Sequence, residues 1–339
     1  MRHVSQLTVL TANQCTAACG HCSMNSSPQR RERLSYPAIR KVVDDLLDAR
    51  GLGMVIFAGG EPTLLKQHLL DAIAFCSAAG VKTRLVTNAS WAITRGAAER
   101  TIDSLREAGL DEINYSADDY HLPFIPFRHV VNAWHASKGK GFDSVVIANC
   151  YGPNSTLTSD SIQEQLGETL AVYWDEDGTH APLPEPGTDG TRYLISNARL
   201  QRLGRGRTID DAELIFPANQ ALLNLPCPWA VTSAALSAQG HLLACCGTEA
   251  HANEFLDFGD ALTEHAGTLV ERTRGNLVVQ AIGRFGPLFL MNFVKLLTDE
   301  PLFAERYSSV CEVCEAVVHH PRARELLNAH LHELAPLLG

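Results

Sequence analysis

Short β-rich runs alternate with amphipathic runs along the first two hundred residues of the chain. Five apolar runs predict strands, and in the segment after each of them apolar positions recur with helical spacing. The predicted strands are 7–12, 54–60, 83–88, 112–116 and 144–150, and the predicted helices are 36–51, 64–80, 94–109, 127–141 and 159–170. A sixth strand is predicted in RYLISNARL, residues 192–200. Repeated strand–helix units indicate an α/β fold with a parallel sheet, and six units fit a partial (β/α)6 barrel.

The pattern changes in the second half of the chain. Residues 174–191, WDEDGTHAPLPEPGTDGT, lack apolar periodicity and are rich in Gly, Pro and Asp, so they predict a long inserted loop. Beyond GRGRTI, residues 204–209, the strands become short and hairpin-like, as in AALSAQGHLLAC. We therefore predict a barrel over residues 1–205 and a small α+β domain with a C-terminal helix over residues 206–339.

Composition and charge narrow the functional classes. The chain has 339 residues and a formal net charge of −10, which argues against nucleic acid or an anionic membrane as a partner. The first apolar run is too short for a signal peptide, and no run of about 18 apolar residues follows it. We expect a cytoplasmic protein, in which ten cysteines favour metal binding or catalysis over disulfides.

Three cysteines, Cys15, Cys19 and Cys22, follow the first predicted strand. Their thiolates suit zinc, with a fourth ligand such as His21, or an iron–sulfur cluster. A four-iron cluster held by three cysteines keeps one iron open for a small ligand. The motifs AGGEP, TNAS and SADDYH follow the next three strands, so all four motifs belong at the carboxyl ends of the strands, where functional loops lie.

The cysteine spacing resembles that of the radical S-adenosylmethionine (SAM) superfamily, and AGGEP strengthens the resemblance. The resemblance implies a [4Fe–4S] cluster on the three cysteines, with SAM bound at the open iron and cleaved to a 5′-deoxyadenosyl radical. It also implies that Gly59, Gly60, Glu61 and Pro62 contact the SAM amino group. Glycines allow close backbone approach, and Glu61 can accept a hydrogen bond from an ammonium.

Two further residues are implied to face SAM. Ser116 and Asp118, in SADDYH, would contact its ribose or its carboxylate, although each residue could instead cap a helix. Asn88, in VTNAS, occupies a similar position at the rim. His121 could serve the substrate or cap a turn.

Four later cysteines resemble the ligands of a twitch domain, the shortened relative of the SPASM domain. The resemblance implies that Cys227, Cys245, Cys311 and Cys314 hold one auxiliary [4Fe–4S] cluster, and a zinc site on the same residues is the alternative. The expected cofactors are therefore two [4Fe–4S] clusters and SAM. The remaining cysteines, Cys76 and Cys150, are predicted to pack in the core. Arg205 and Arg207 could bind a carboxylate or belong to a turn that links domains.

Four stretches resemble the radical SAM peptide epimerases of epipeptide biosynthesis. They are CTAACGHCSMNSSP, LVTNASWA, NYSADDYHLPF and LPCPWAVTSAALSAQGHLLACCG. The resemblance implies that a Cα hydrogen is removed from an L-residue of a ribosomally made peptide and that Cys246 returns hydrogen to the opposite face. Adjacent residues of a strand point in opposite directions, so Cys246 can face the substrate while Cys245 faces a cluster. Two features depart from that family: Ser23 stands where a further cysteine is found, and 174–191 looks inserted.

Two other outcomes stay open. The same radical could oxidise its substrate, with the auxiliary cluster taking the second electron. The product would then be a cross-linked or dehydrogenated peptide or a dehydrogenated small molecule, and Cys246 would not be needed. A non-catalytic metal-binding or redox-sensing protein would leave AGGEP without a purpose. A radical SAM enzyme also needs an external electron donor, such as flavodoxin or ferredoxin, to reduce its cluster.

Overall fold

The computed structural model describes residues 4–49, 51–176, 179–180, 183–245 and 250–338. The strands are β1 Gln6–Leu10, β2 Met54–Ala58, β3 Lys82–Thr87, β4 Glu112–Ser116, β5 Ser144–Tyr151, β6 Ala171–Glu176, β7 Thr179–His180, β8 Arg192–Arg199, β9 Ser233–Leu236, β10 His241–Leu243 and β11 Asp257–Asp260. The helices are α1 Tyr36–Asp48, α2 Gln67–Ala78, α3 Arg95–Glu107, α4 Phe127–Ser137, α5 Ser159–Leu166, α6 Trp229–Thr232, α7 Ala266–Arg274, α8 Leu277–Phe285, α9 Pro287–Leu297, α10 Val310–His319 and α11 Pro321–Leu338.

The predicted α/β partial barrel is confirmed. Strands β1, β2, β3, β4, β5 and β8 pair in parallel in that order, and a helix follows each of the first five. The predicted strands and helices of the first two hundred residues all appear, with shifts of a few residues at their ends. Helix α1 shows the cause: Ser35 caps its first turn, and Ile39, Val42, Val43 and Leu46 recur with helical spacing and are buried.

The register of the sheet brings the strand ends together. Leu10 at the end of β1 pairs with Ala58 at the end of β2, and Tyr115 near the end of β4 pairs with Thr87 at the end of β3. Because neighbouring strands end at the same height, the loops that follow them meet at one edge of the sheet. The cysteine loop, AGGEP, TNAS and SADDYH therefore lie side by side.

The predicted loop 174–191 begins as a strand. Strand β6 starts at Ala171, runs into this segment and pairs in parallel with β8, while β7 folds back on it. The sequence AVYWDE contains β-branched and aromatic residues, which suit a strand, and it pairs at the far side of β8 from the barrel. Residues 183–191 are loop, as predicted.

The C-terminal part continues the same sheet. Strand β9 pairs in parallel with β1, and β10 and β11 extend the sheet by antiparallel pairing. Helices α8, α9, α10 and α11 enclose a second apolar core, to which Leu10 of β1 also contributes. The division at 205/206 stays a prediction.

In the part of the chain that the structure describes, no single helix is long and apolar enough to cross a membrane. The helices α8 and α9 reach that length and apolar composition only when the two are counted together as one bent pair.

Candidate metal and cofactor site

A cavity of ≈ 410 Å³ opens at the carboxyl ends of the barrel strands. Every barrel strand brings at least one residue to it, either from the strand itself or from the loop that follows. The lining includes Cys15, Cys19, Cys22, Gly59, Gly60, Asn88, Ser116, Cys150 and Arg199. Three cysteines predicted to act together thus line one cavity, which is the arrangement that a metal or a cluster with three thiolate ligands requires.

The cysteine loop is held by backbone and side-chain contacts. The amide of Cys22 donates to the carbonyl of Cys19 at 3.2 Å, and the sulfur of Cys15 accepts from the Ala17 amide at 3.4 Å. All three cysteines pack with an apolar cluster that contains Ala17 and Ile125. Burial raises the pKa of the Cys15 and Cys19 thiols to about 12. Thiols shielded from water in this way fit an iron–sulfur cluster, whose thiolate ligands are stabilised by the cluster itself.

Gly59 and Gly60 serve the packing of two loops. The Gly60 amide donates to the Ala12 carbonyl at 2.6 Å, and the Glu61 amide donates to the Gln14 carbonyl at 3.0 Å. A side chain at position 60 would overlap the Gln14 carbonyl, and Gly59 has a φ of +116° that disfavours other residues. The loop after β2 therefore supports the base of the cysteine loop directly, while both glycines also line the cavity.

We expect Gly60→Ala to displace the cysteine loop and to destabilise the protein by about 1–3 kcal/mol, because the added methyl overlaps backbone that cannot move freely. Urea unfolding and the iron content after reconstitution measure the two effects. Gly53→Ala is the matched control, since a side chain there meets only the Ser5 carbonyl at an ordinary distance of 3.7 Å. Equal stability and equal iron in both variants would contradict this account of Gly60.

Glu61 and Pro62 lie behind the cavity wall. Pro62 begins a short 3-10 helix, Pro62–Leu65, and is buried. Glu61 is completely buried, and its carboxylate accepts hydrogen bonds from Thr63, from the Thr87 hydroxyl at 2.7 Å and from the Asn88 amide at 2.9 Å. Burial raises the pKa of Glu61, and these hydrogen bonds oppose the rise. Its contact with the SAM amino group stays a prediction.

Asn88 and Ser116 line the cavity, as the sequence predicts for groups that face SAM. The Asn88 side-chain amide donates to the Thr16 hydroxyl at 3.0 Å and lies 3.5 Å from the Cys15 sulfur. Asn88 therefore links the third strand end to the cysteine loop. Ser116 is the last residue of β4.

Asp118 is 1% exposed and holds two histidines. Its carboxylate accepts from His121 Nδ1 at 2.9 Å and lies 3.2 Å from His21 Nε2. Burial opposes ionisation of Asp118, but the charge of His121 and hydrogen bonds from both histidines hold its pKa well below its usual range. Burial also favours neutral His21, yet its hydrogen bond to Asp118 raises the pKa of His21 to about 9. Asp118 is thus an anionic anchor behind the wall, and its predicted contact with SAM stays a prediction.

Cys150 also lines the first cavity, whereas the sequence predicts that it packs in the core. Its sulfur and the nearest ligand atoms of His21 and Asp118 all lie within 4.8 Å of one another. The available signal was its place at the end of the fifth strand, beside the other rim motifs. Cys76 is completely buried, so its predicted place in the core is confirmed.

A second cavity of ≈ 300 Å³ contains the four later cysteines, Cys227, Cys245, Cys311 and Cys314, on its wall. Cys311 and Cys314 are three residues apart on α10, a spacing that places both on one face of the helix. The rest of the lining is mostly apolar, including Leu256, Pro287 and Val318, and also contains Gln201, Glu315 and His319. Burial raises the pKa of the Cys314 thiol to about 12. Four cysteine ligands fit a closed metal or cluster site.

The two cavities are neighbours. Ser23, Gln201 and Leu203 line both of them, so the cavity of the cysteine loop adjoins the cavity of the later cysteines at these three residues. Cys246, the predicted hydrogen-atom donor, lies outside the described residues; its neighbour Cys245 lines the second cavity.

Comparison with curated proteins finds partial matches. The chain is 31% identical over 121 residues to the GTP 3′,8-cyclase of Synechococcus elongatus and 29% identical over 119 residues to that of Chlorobaculum tepidum. Each alignment covers 34% of this chain, and the aligned segment spans 35% and 34% of the two relatives. The chain therefore matches about a third of the length of these enzymes.

Solved structures share the fold more widely. BtrN in complex with AdoMet and 2-DOIA has a TM-score of 0.50 at 16% identity and covers 83% of this chain and 87% of its own. The structure of anSMEcpe with bound AdoMet has a TM-score of 0.53 at 12% identity and covers 98% of both chains. At these identities the likeness concerns the fold alone. A family model described as the radical SAM superfamily matches residues 9–156. The matched segment, residues 9–156, carries the cysteine loop and AGGEP and is similar to the radical SAM superfamily.

Proposed function

We propose that this chain is a radical SAM enzyme with two [4Fe–4S] clusters that epimerises a residue of a ribosomally made peptide. The observation that carries the proposal is the placement of the seven predicted cysteine ligands in two neighbouring cavities: three line the first, beside Cys150, and four line the second. The three predicted ligands of the first cavity lie within residues 9–156, the segment that matches the radical SAM superfamily model. BtrN and anSMEcpe, which share the fold, both bind AdoMet.

In the first cavity, Cys15, Cys19 and Cys22 would hold a cluster with one open iron for SAM. The cluster and SAM, when bound, supply the radical that abstracts hydrogen from the substrate. The chain positions the ligands and limits access of water through the apolar cluster beside the three cysteines. Asn88 and Ser116 present polar groups to the same space, where they can orient SAM.

The second cavity has room for a cluster as well as for zinc. Cys227, Cys245, Cys311 and Cys314 share its ≈ 300 Å³ with ten further lining residues. The preference for a cluster over zinc rests on the resemblance to the twitch domain. Because Ser23, Gln201 and Leu203 line both cavities, this cluster would lie close enough to accept an electron from a substrate in the first cavity.

The substrate class rests on the resemblance of four stretches to the peptide epimerases. The fold admits both candidate classes, since anSMEcpe binds a Cp18Cys peptide and BtrN binds 2-DOIA. We assign to Cys246 the return of hydrogen: its thiol would give a hydrogen atom to the substrate Cα radical. The sulfur radical left behind would then take an electron from the external donor and a proton from solvent. An external donor such as flavodoxin or ferredoxin would also reduce the first cluster.

The test uses anaerobically reconstituted enzyme, SAM, a reductant and the short peptide encoded beside its gene, in heavy water. We expect one deuteron at one Cα and no other change in mass, because a thiol exchanges its hydrogen with solvent before it donates. Cys246→Ala should still consume SAM, but its peptide product should contain neither a deuteron at Cα nor a D-residue. Mass spectrometry of the peptide and of 5′-deoxyadenosine measures both results.

Cys150→Ala is the comparison variant, since Cys150 lines the first cavity and could also reach a substrate. Loss of the deuteron in Cys150→Ala but not in Cys246→Ala would transfer the donor role to Cys150. A product that lacks two hydrogens would identify an oxidative enzyme that uses the second cluster as electron acceptor. Absence of 5′-deoxyadenosine from the wild-type reaction would contradict the radical SAM assignment.

A further inference from the structure

We infer that Arg205 is a positioning residue for the SAM-binding cluster: it fixes the cysteine loop from outside the superfamily-matched segment, through hydrogen bonds to backbone carbonyls. The inference rests on the proposed cluster at Cys15, Cys19 and Cys22. Arg205 belongs to residues 201–207, here termed the bridge segment, which follows the last barrel strand β8. The family match ends at residue 156, so Arg205 contacts the cysteine loop from a part of the chain that the family model does not cover.

The side chain of Arg205 joins two points of the cysteine loop. Its Nη1 donates to the Cys19 carbonyl at 2.7 Å, and its Nη2 donates to the Ser26 carbonyl at 2.6 Å. The Arg205 amide donates to the Cys22 carbonyl at 3.0 Å. One residue thus donates to the carbonyls of the last two cysteines and to that of Ser26, which follows them. The guanidinium is a rigid fork, so it sets the distance between its two acceptors as well as their direction.

Glycines on both sides of Arg205 make this approach possible. Gly204 has a φ of +55°, and a side chain there would overlap the Ser23 carbonyl. A side chain at Gly206 would lie 3.3 Å from the His21 carbonyl and 2.9 Å from that of Gln201. The sequence Gly-Arg-Gly therefore lets the bridge segment lie directly against residues 21–23.

The other end of the bridge segment is fixed to the helix that carries two ligands of the second cavity. The Arg202 amide donates to Glu312 Oε1 at 2.7 Å, and Ser309 donates to the Gln201 side chain at 3.2 Å. Glu312 is 6% exposed and lies between Cys311 and Cys314 on α10. Because the segment is held at this end, Arg205 approaches the cysteine loop from a rigid support.

The charge of Arg205 lies beside a predicted ligand. Its guanidinium donates to the Cys19 carbonyl at 2.7 Å, which places a positive charge next to the cysteine loop. The same charge would stabilise the electron that a bound cluster accepts. Position and charge are therefore separate contributions of one side chain, and two substitutions can separate them.

The test compares Arg205→Met and Arg205→Lys with the wild-type holoenzyme, reconstituted anaerobically and reduced. We expect Arg205→Met to weaken SAM binding about tenfold or more, to reduce the SAM-induced change in the electron paramagnetic resonance spectrum, and to lower the midpoint potential of the SAM-responsive cluster. Arg205→Lys keeps the charge but lacks the fork, so its potential should stay near the wild-type value while SAM binding is still weakened. The spectrum of the second cluster reports whether each variant is folded.

Arg306→Met is the matched control. Arg306 is an exposed arginine that pairs with Asp211 and stacks on Phe216, and its variant should behave as wild type. If Arg205→Met and Arg205→Lys match this control in SAM affinity and in spectrum, the positioning role is wrong. If Arg205→Met does not fold, Arg205→Lys decides by the same readouts. A wild-type protein without any SAM-responsive cluster would instead refute the proposed function.

Discussion

Replacement of Cys22 by alanine is expected to abolish reductive cleavage of SAM, to the level of a blank without protein. Cys22 and its partners Cys15 and Cys19 line one cavity, and a cluster with a free iron needs all three thiolates. Loss of one ligand from an open site leaves too few bonds to hold the cluster. We expect the same loss from Cys15→Ala and Cys19→Ala. Chromatography of 5′-deoxyadenosine measures the activity.

Iron content makes this prediction quantitative. Two four-iron clusters give about eight irons per chain, so each first-cavity variant should retain about four. The double variant Cys311→Ala/Cys314→Ala is the matched control: it should also retain about four irons, yet keep a cluster whose spectrum responds to SAM. If Cys22→Ala still forms 5′-deoxyadenosine, or if the double variant loses zinc and no iron, the corresponding assignment is wrong.

Much of the barrel could be predicted from local patterns. The strand LTVLTA and the helix at Tyr36–Asp48 follow from apolar spacing and from a serine cap, both of which are properties of neighbouring residues. The end of strand β6, from Trp174 onward, falls in the predicted loop 174–191 because the glycines and prolines after Trp174 dominate the composition of that window. The pairing of β9 with β1 joins residues more than two hundred positions apart, and no local pattern encodes it.

Spacing and resemblance group seven cysteines into two predicted ligand sets, and each set lines one cavity, because cysteine clusters are distinctive in a sequence. The supporting residues could not be identified in this way. Arg205 gives no sign in the sequence that it meets the Cys19 carbonyl, since a backbone acceptor has no residue identity. Cys150 is a lone cysteine on a strand, and only the parallel register places it beside His21. Support for a site depends on three-dimensional neighbours, whereas its ligands depend on residue type.

Glu61 illustrates how one motif residue can have two explanations. The resemblance predicts that its carboxylate accepts from SAM, yet all of its side chain is buried. Oε1 accepts from the Thr63 amide at 3.2 Å, the Thr63 hydroxyl at 2.6 Å and the Thr87 hydroxyl at 2.7 Å, and Oε2 accepts from the Asn88 amide at 2.9 Å. These bonds join the loop after β2 to the loop after β3. Asn88 extends the connection to Cys15.

We therefore expect Glu61→Ala to destabilise the protein by about 3–5 kcal/mol, because it leaves several buried donors without an acceptor. Urea unfolding of the cluster-free protein measures this loss without any contribution from SAM. The same variant should lose iron from the first cavity, since Asn88 would no longer be held beside Cys15. Cys76→Ala, which removes a buried sulfur that does not line the first cavity, serves as a general control for destabilisation without a defect in the first site.

Glu61→Gln separates the two explanations. The glutamine side chain keeps one oxygen for Thr63 and Thr87, but its nitrogen would face the backbone N–H of Asn88, which is also a donor. We therefore expect a smaller loss of stability, about 1–3 kcal/mol. A supporting role predicts that stability and iron content fall together in this variant, with SAM affinity per remaining cluster close to the wild-type value. A direct contact with SAM predicts the reverse, namely wild-type stability and a large loss of SAM affinity. Because the two patterns are opposite, titration of SAM into both variants, normalised to first-site iron, decides between them.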